Sequence, residues 1–257
     1  MSDAPPLLAV EGVTVRFGGL TAVNAVSFDL RAGEVCALIG PNGAGKTTLF
    51  NAISGNVTIR DGAIRFAGAP IHNLPPHVIS ARGVRRTFQN GGLFGDLTAL
   101  ENVLVGLHAA TRSDLFGLLS GLRGSSAAEA QATRRAGELL GLLDIGFLAD
   151  RPVRLLSGGQ QRMVEIVRAL ATDPPLLLLD EPAVGLSPPM RTQLGTVIRR
   201  LAAERNIGIL LIEHAIELVM NISDRVIVMS DGRKVADAAP EVVRADRAVL
   251  EAYLGHA

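Results

Sequence analysis

Val35-Cys36-Ala37-Leu38-Ile39-Gly40-Pro41-Asn42-Gly43-Ala44-Gly45-Lys46-Thr47-Thr48-Leu49-Phe50 is the stretch that decides the fold. Val35 to Ile39 is continuously apolar, as expected of a strand buried on both faces. Gly40 to Thr48 matches the phosphate-binding loop pattern in full. A helix is expected to begin at Gly45–Lys46 and run through Leu49, Phe50 and Ile53 to Gly55. Glycines let the backbone wrap closely and aim successive N–H groups at phosphate oxygens, and the helix N-terminus adds positive partial charge at the same point. Gly40, Pro41, Asn42, Gly43, Ala44, Gly45, Lys46, Thr47 and Thr48 are therefore candidate nucleotide-binding residues. Lys46 would bridge the β- and γ-phosphates, and the Thr47 hydroxyl would take a Mg²⁺ position. A glycine-rich turn with a chance lysine is the bland alternative, but a buried strand before it and a helix after it argue for the phosphate loop.

A second signal lies downstream, in Leu177-Leu178-Leu179-Asp180-Glu181-Pro182. An acid ending a buried strand beside a phosphate loop suits Mg²⁺, which makes Asp180 a candidate metal residue. Glu181, next in the chain, can polarise the water that attacks a γ-phosphate. Alone, such an acidic pair would read as a solvated strand end.

Outward from these anchors, Val10 to Phe17 and Ala25 to Leu30 alternate as strands. Leu97 to Ala171 is rich in helix formers with apolar spacing near 3.6, as in Leu139, Leu140 and Leu143 or Met163, Ile166 and Leu170. Gly121 to Ser126 reads as a surface loop. After Pro174–Pro175, strands at Leu176–Leu179, Ile207–Ile212 and Arg225–Met229 alternate with helices at Met190–Glu204 and Ala215–Ile222. Strand–helix alternation on both sides of a helical insert means a mainly parallel sheet with helices on its faces and a helical subdomain.

Composition bounds the function. Lys plus Arg and Asp plus Glu both number 25 in 257 residues, and the formal charge is zero. That balance argues against nucleic-acid binding through a broad basic surface. Hydrophobic residues make up 48%, which excludes disorder. Cys36 is the only cysteine, so an intrachain disulfide and a cysteine metal cluster are both excluded; it reads as a buried small hydrophobe. The longest uncharged stretch, Phe66 to Ala81, contains Pro70, Pro75, Pro76, His72 and His77 and falls short of the roughly 20 apolar residues a spanning helix needs. Met1 to Pro6 lacks any basic residue, unlike a secretory leader. The expectation is a soluble protein of a reducing compartment that reaches a membrane only through a partner.

Leu156-Ser157-Gly158-Gly159-Gln160-Gln161-Arg162, placed between the phosphate loop and Asp180, completes a pattern. Together these motifs closely resemble the ATP-binding subunit of ABC transporters, over essentially the whole chain. The resemblance implies an α/β fold of the P-loop NTPase type, its mainly parallel sheet joined by an antiparallel β subdomain and a helical subdomain bearing the signature motif. It implies one ATP-binding domain, with a nucleotide-binding core at 1–90 and 172–257 and the helical subdomain at about 91–171. Phe17, before Gly18–Gly19, matches the aromatic that stacks on adenine; its bland alternative is a strand-end core residue. Gln89, in Arg86-Thr87-Phe88-Gln89-Asn90, matches the glutamine that senses Mg²⁺ and the γ-phosphate and abuts the membrane subunit. His214, after Ile212–Glu213, matches the histidine that contacts the γ-phosphate. Ser157, Gly158, Gly159 and Gln160 would close over the ATP held by a facing copy, so that each site is incomplete in a monomer. Many members carry Ser-Ala-Leu-Asp after the catalytic glutamate, whereas this chain has Val184-Gly185-Leu186-Ser187-Pro188 and lacks the aspartate that reaches across the dimer.

Finer matches point to one subgroup: Arg16-Phe17-Gly18-Gly19, the segment from Arg86 through Leu93-Phe94 and Leu97-Thr98 to Glu101-Asn102-Val103, Glu181-Pro182-Ala183-Val184-Gly185-Leu186, Ile212-Glu213-His214 and Ala252-Tyr253-Leu254-Gly255. They resemble the ATP-binding subunit of bacterial high-affinity branched-chain (hydrophobic) amino acid importers. This implies ATP and Mg²⁺ as cofactors, hydrolysis of ATP to ADP and phosphate, and a place at the cytoplasmic face of the inner membrane. The partners implied are two membrane permease subunits, a second ATP-binding subunit (paralogue or self) and, indirectly, a periplasmic substrate-binding protein, with no nucleic acid. In that subgroup the absent loop aspartate is ordinary. The ATP site never touches the cargo, so uptake of urea, an amide or another amino acid stays open, as does export of a lipid or lipopolysaccharide. A non-transport ATPase acting on DNA or ribosomes would carry long inserts or tandem ATP domains, and neither is present. A dead binding module would be expected to lose Lys46, Glu181 or His214.

Overall fold

The structure, a computed structural model, describes residues 5–87, 92–108, 126–246 and 249. They fall into two compact units: Met1–Arg86, Pro175–Pro182 and Ile198–Ala257 form the first, and Thr87–Pro174 with Ala183–Val197 the second.

The first unit holds two sheets. Strands β1 (Leu8–Phe17), β2 (Leu20–Leu30), β4 (Asp61–Phe66) and β5 (Ala69–Pro70) form an antiparallel sheet in the order β2-β1-β4-β5. The other is ordered β10-β9-β3-β8-β7-β6, from β3 (Val35–Ile39), β6 (Val84–Arg86), β7 (Leu176–Asp180), β8 (Gly208–Ile212), β9 (Arg225–Ser230) and β10 (Arg233–Ala238). All neighbours in it are parallel except the edge pair β9–β10. The fold is thus the expected one, a mainly parallel sheet accompanied by an antiparallel one.

The apolar runs do what their composition dictates. Every residue of β3, β7 and β8 is buried. Helix α1 (Lys46–Ile53) buries Leu49, Phe50 and Ile53 in one core with Val15, Val23 and Val26 of the antiparallel sheet and Leu38, Leu178 and Leu210 of the parallel one. Cys36 sits inside this core and burial pushes its thiol pKa up, so it behaves as a small hydrophobe. Because β3, β7 and β8 run parallel, their carboxyl ends lie side by side, where open α/β sheets place their ligands.

The second unit is helical, with α3 (Ala99–His108), α4 (Ser126–Leu142) and α5 (Gly158–Leu170). The surface loop expected at Gly121 to Ser126 lies outside the described residues except for Ser126, which begins α4. Helix α2 (Pro76–Ala81) belongs to the first unit, as do α7 (Ile216–Ile222) and α8 (Pro240–Ala245), while α6 runs over Pro188–Arg205. Among the described residues no helix is long and apolar enough to cross a membrane.

Candidate functional site

The site begins where β3 turns into α1. Gly40 has φ 148°, and a Cβ there would stand 2.0 Å from the Met229 carbonyl oxygen. Gly45 has φ 94°, and a Cβ would meet the Ala22 carbonyl oxygen at 2.4 Å. The loop is therefore pressed between β2 and β9, and no side chain fits at these two turns. Gly45 is also the N-cap of α1 and supplies no side-chain cap, which leaves the first N–H groups of the helix to a ligand.

Lys46 is 5% exposed, and its Nζ donates to the carbonyls of Gly40 at 2.8 Å and Pro41 at 2.9 Å. Burial pulls its pKa below the ordinary lysine value, while the charges of Glu181 and Asp180 hold it up. The cation is poised at the loop but tied only to neutral oxygens, so a phosphate is a stronger partner than those it has.

Sheet register delivers the acids. Asp180 ends β7 opposite Ile212, the last residue of β8. One residue further, the Glu181 N–H donates to the Ile212 carbonyl at 2.9 Å, with Glu181 at φ 49°. That left-handed conformation costs a non-glycine residue about 1–2 kcal/mol. Two residues beyond Ile212, His214 places Nε2 3.2 Å from Glu181 Oε1. Glu213, buried between them, accepts the N–H groups of His214 at 3.0 Å and Ala215 at 3.2 Å, which fixes the turn that presents the imidazole.

A cleft of about 590 Å³ gathers these groups: Asn42 to Thr48, Glu181 and His214 line it. So do Phe17, 50% exposed at the end of β1 and thus no core residue, and Asp231–Gly232 of the β9–β10 turn. Asp180 lies fully buried. Gly40 and Pro41 contribute the carbonyls that hold Lys46. Gln89, with Phe88, Asn90 and Gly91, lies outside the described residues.

A hydroxyl at Thr47 and a carboxylate at Asp180 are hard oxygen donors, the kind Mg²⁺ takes. Among the described residues no group of three or more His, Cys, Asp or Glu is placed to hold a metal ion. A hydroxyl and a carboxylate of this kind fit a Mg²⁺ that keeps several waters and takes phosphate oxygens.

The signature segment lies in the second unit. Ser157 caps α5: its Oγ accepts from the Gln160 N–H at 3.3 Å, and its own N–H donates to Gln160 Oε1 at 3.0 Å. This reciprocal capping box spends the Gln160 side chain on the start of the helix. Ser157 and Gly158 are exposed, while Gly159 is buried, where a Cβ would come within 3.0 Å of Leu186 Cδ2. The Val184–Ser187 loop, without its aspartate, forms a turn closed by the Leu186 N–H on the Ala183 carbonyl at 3.2 Å.

Sequence reasoning missed three residues. Arg86 was quoted only as part of a motif, yet it pairs with Asp180 at 2.7 Å. Glu213 shapes the histidine turn. Asn102, fully buried, accepts the Phe94 N–H at 2.8 Å and donates to the carbonyls of Phe94 and Thr98, pinning Phe94 to α3. An asparagine set among apolar residues of a helix was the available signal for the last.

Comparison with known proteins gives the family. Residues 23–184 match the family model described as ABC transporter, and residues 233–257 match the model described as branched-chain amino acid ATP-binding cassette transporter. The chain is 43% identical to the high-affinity branched-chain amino acid transport ATP-binding protein BraF of Pseudomonas aeruginosa, over 98% of this chain and 99% of that protein. The crystal structure of the ADP conformation of MJ1267, an ATP-binding cassette of an ABC transporter, superposes with a TM-score of 0.84 at 32% identity, covering 98% of this chain and all of that one. The dimeric structure of MJ0796, a bacterial ABC transporter cassette, gives 0.78 at 26% identity over 91% and 98% of the two chains. The chain belongs to the family of ABC transporter ATP-binding subunits, in its branched-chain amino acid branch.

Proposed function

We propose that this chain binds and hydrolyses ATP to drive an importer of branched-chain and other hydrophobic amino acids, at the cytoplasmic face of the bacterial inner membrane. The cleft that unites a phosphate loop with Glu181 and its partner His214 carries the ATPase part of this reading, and the 43% identity to BraF supports the cargo.

In this reading Phe17 stacks on adenine, and the N–H groups of Gly43 to Thr48 wrap the phosphates. Lys46 exchanges the carbonyls of Gly40 and Pro41 for the β- and γ-phosphate oxygens. Thr47 and Asp180, assisted by Gln89, would hold the Mg²⁺ that accompanies ATP, which would supply positive charge against that developing on the phosphate oxygens. Glu181 accepts a proton from the attacking water as its oxygen bonds to the γ-phosphorus. The bond to the ADP oxygen breaks, and phosphate and ADP leave. His214 orients Glu181 through their 3.2 Å contact and reaches the γ-phosphate.

Ser157, Gly158, Gly159 and Gln160 act on the ATP of a second ATP-binding subunit, and that subunit's signature acts on this cleft. ATP then binds the closed pair better than the open one, and the differential affinity performs work on two permease subunits. A periplasmic binding protein delivers the cargo. The core at 1–90 and 172–257 serves the nucleotide, and the helical part at about 91–171 serves signature and permease contact. Tagged Glu181→Gln protein isolated from its native membranes with ATP should bring down two multi-span permeases and a second ATPase, identified by mass spectrometry. Recovery of ribosomes, DNA or no membrane protein would overturn the transport reading.

A further inference from the structure

Asp180 is fully buried, and a carboxylate so placed must find a cation or lose its charge. Two cations act on it. Arg86 Nη2 donates to Asp180 Oδ2 at 2.7 Å, and the Lys46 ammonium feels the Asp180 charge. Lys46 nonetheless donates to the carbonyls of Gly40 and Pro41. The difference lies in how Arg86 is held.

Its other amino group, Nη1, donates to Asn51 Oδ1 at 2.6 Å and Ser54 Oγ at 3.0 Å. The guanidinium carbon lies 5.7 Å from the centroid of the Phe50 ring. Ser54 is itself tied down, donating to the Phe50 carbonyl at 2.8 Å. Phe50, Asn51 and Ser54 all belong to the last turn and C-cap of α1, the helix whose first turn carries Lys46 and Thr47. One rigid helix therefore carries the phosphate-binding residues at one end and grips the arginine of the metal carboxylate at the other. A planar guanidinium suits this task, because one fork faces Asp180 while the second is locked by α1; an ammonium has no such fork.

We propose that Arg86 is a positioning residue for the ATP-bound metal: it fixes the Asp180 carboxylate and keeps it from pairing with Lys46, so that both charges stay available to Mg²⁺-ATP. This deepens the proposed function and rests on its assignment of Asp180 to the metal. Partners of this kind, which orient a metal-binding group from behind, typically change metal affinity about 10- to 100-fold when removed.

The test uses the purified full-length chain and a fluorescent ATP analogue, with Kd measured in EDTA and in excess Mg²⁺; their ratio is the Mg²⁺ gain. In Arg86→Met the gain should fall by about tenfold or more. Arg86→Lys should recover part of it, and Asn51→Ala, which removes one of the two partners of Nη1 but keeps the charge, should lose a smaller part. Asp180→Asn should lose at least as much of it as Arg86→Met. A full wild-type gain in folded Arg86→Met overturns the proposal. Should that variant not fold, a full gain in both Arg86→Lys and Asn51→Ala overturns it equally. A full gain in Asp180→Asn would instead overturn the assignment of the metal to Asp180, which separates the two failures.

Discussion

The two compact units build their functional residues by opposite means. In the first, position comes from long-range order. Asp180 stands opposite Ile212, β3 pairs with β8, and those registers bring Lys46, Glu181 and His214 into one cleft from segments far apart in the chain. In the second, position comes from neighbours. Ser157 and Gln160 cap their own helix, Thr98 and Glu101 cap α3, and Asn102 pins a loop eight residues away. A sheet-built site is held by register across several strands, and it gathers the phosphate loop, Glu181 and His214 in one cleft. A cap-built segment exposes Ser157 and Gly158, which in the proposed function act on the ATP of another subunit.

This contrast can be broken. Lys46→Ala should weaken nucleotide binding by the lone chain about 10- to 100-fold, as loss of a charge-assisted bond implies, read by isothermal titration. If binding survived at full strength, the cradle would not be where the sheet places it. Asn102→Ala leaves the Phe94 backbone without its buried partner and should destabilise the second unit by about 1–3 kcal/mol, measured by denaturant unfolding, with nucleotide affinity unchanged. Ser157→Ala should cost about 1 kcal/mol at the start of α5. It should lower turnover while the lone chain still binds nucleotide normally; weaker binding by the lone chain would erase the contrast.

The smallest effect concerns Glu101. Hydrogen bonds from the Thr98 backbone and side chain hold its pKa below the ordinary 4.5. The stability it adds is therefore present above that value and lost as pH falls through the lowered one. Glu101→Gln should flatten that part of the acid-unfolding profile, and an unchanged profile would remove this cap from the account.

The legible parts were those whose chemistry is local. The run from Val35 to Ile39 reads as a buried strand and is one, and the helix expected from Gly45–Lys46 spans Lys46–Ile53. The strands expected at Leu176–Leu179 and Arg225–Met229 each extend one residue further. Strand β6 escaped because Val84-Arg85-Arg86 is short and polar; its second arginine is covered by the end of α1 and by Asp180, which meets it from a strand that begins 90 residues later in the chain. Strand β10, with three exposed residues and one partner, carries no apolar run to announce it. The Glu181–His214 contact depends on register between β7 and β8, which periodicity does not encode. The capping box at Ser157, by contrast, was spelled out by a serine followed three residues later by glutamine.

In the proposed function Glu181 takes the proton of the attacking water, in a cleft whose phosphate loop binds nucleotide in the lone chain and more tightly in the closed pair. Glu181→Gln, followed for ATP binding, steady-state hydrolysis and molecular mass in ATP, tests it directly. Loss of a general base costs about 10²- to 10⁴-fold in rate. The expected result is hydrolysis reduced on that scale, ATP affinity retained, and a mass that doubles with ATP where the chain pairs with itself. Hydrolysis at the wild-type rate would contradict the account.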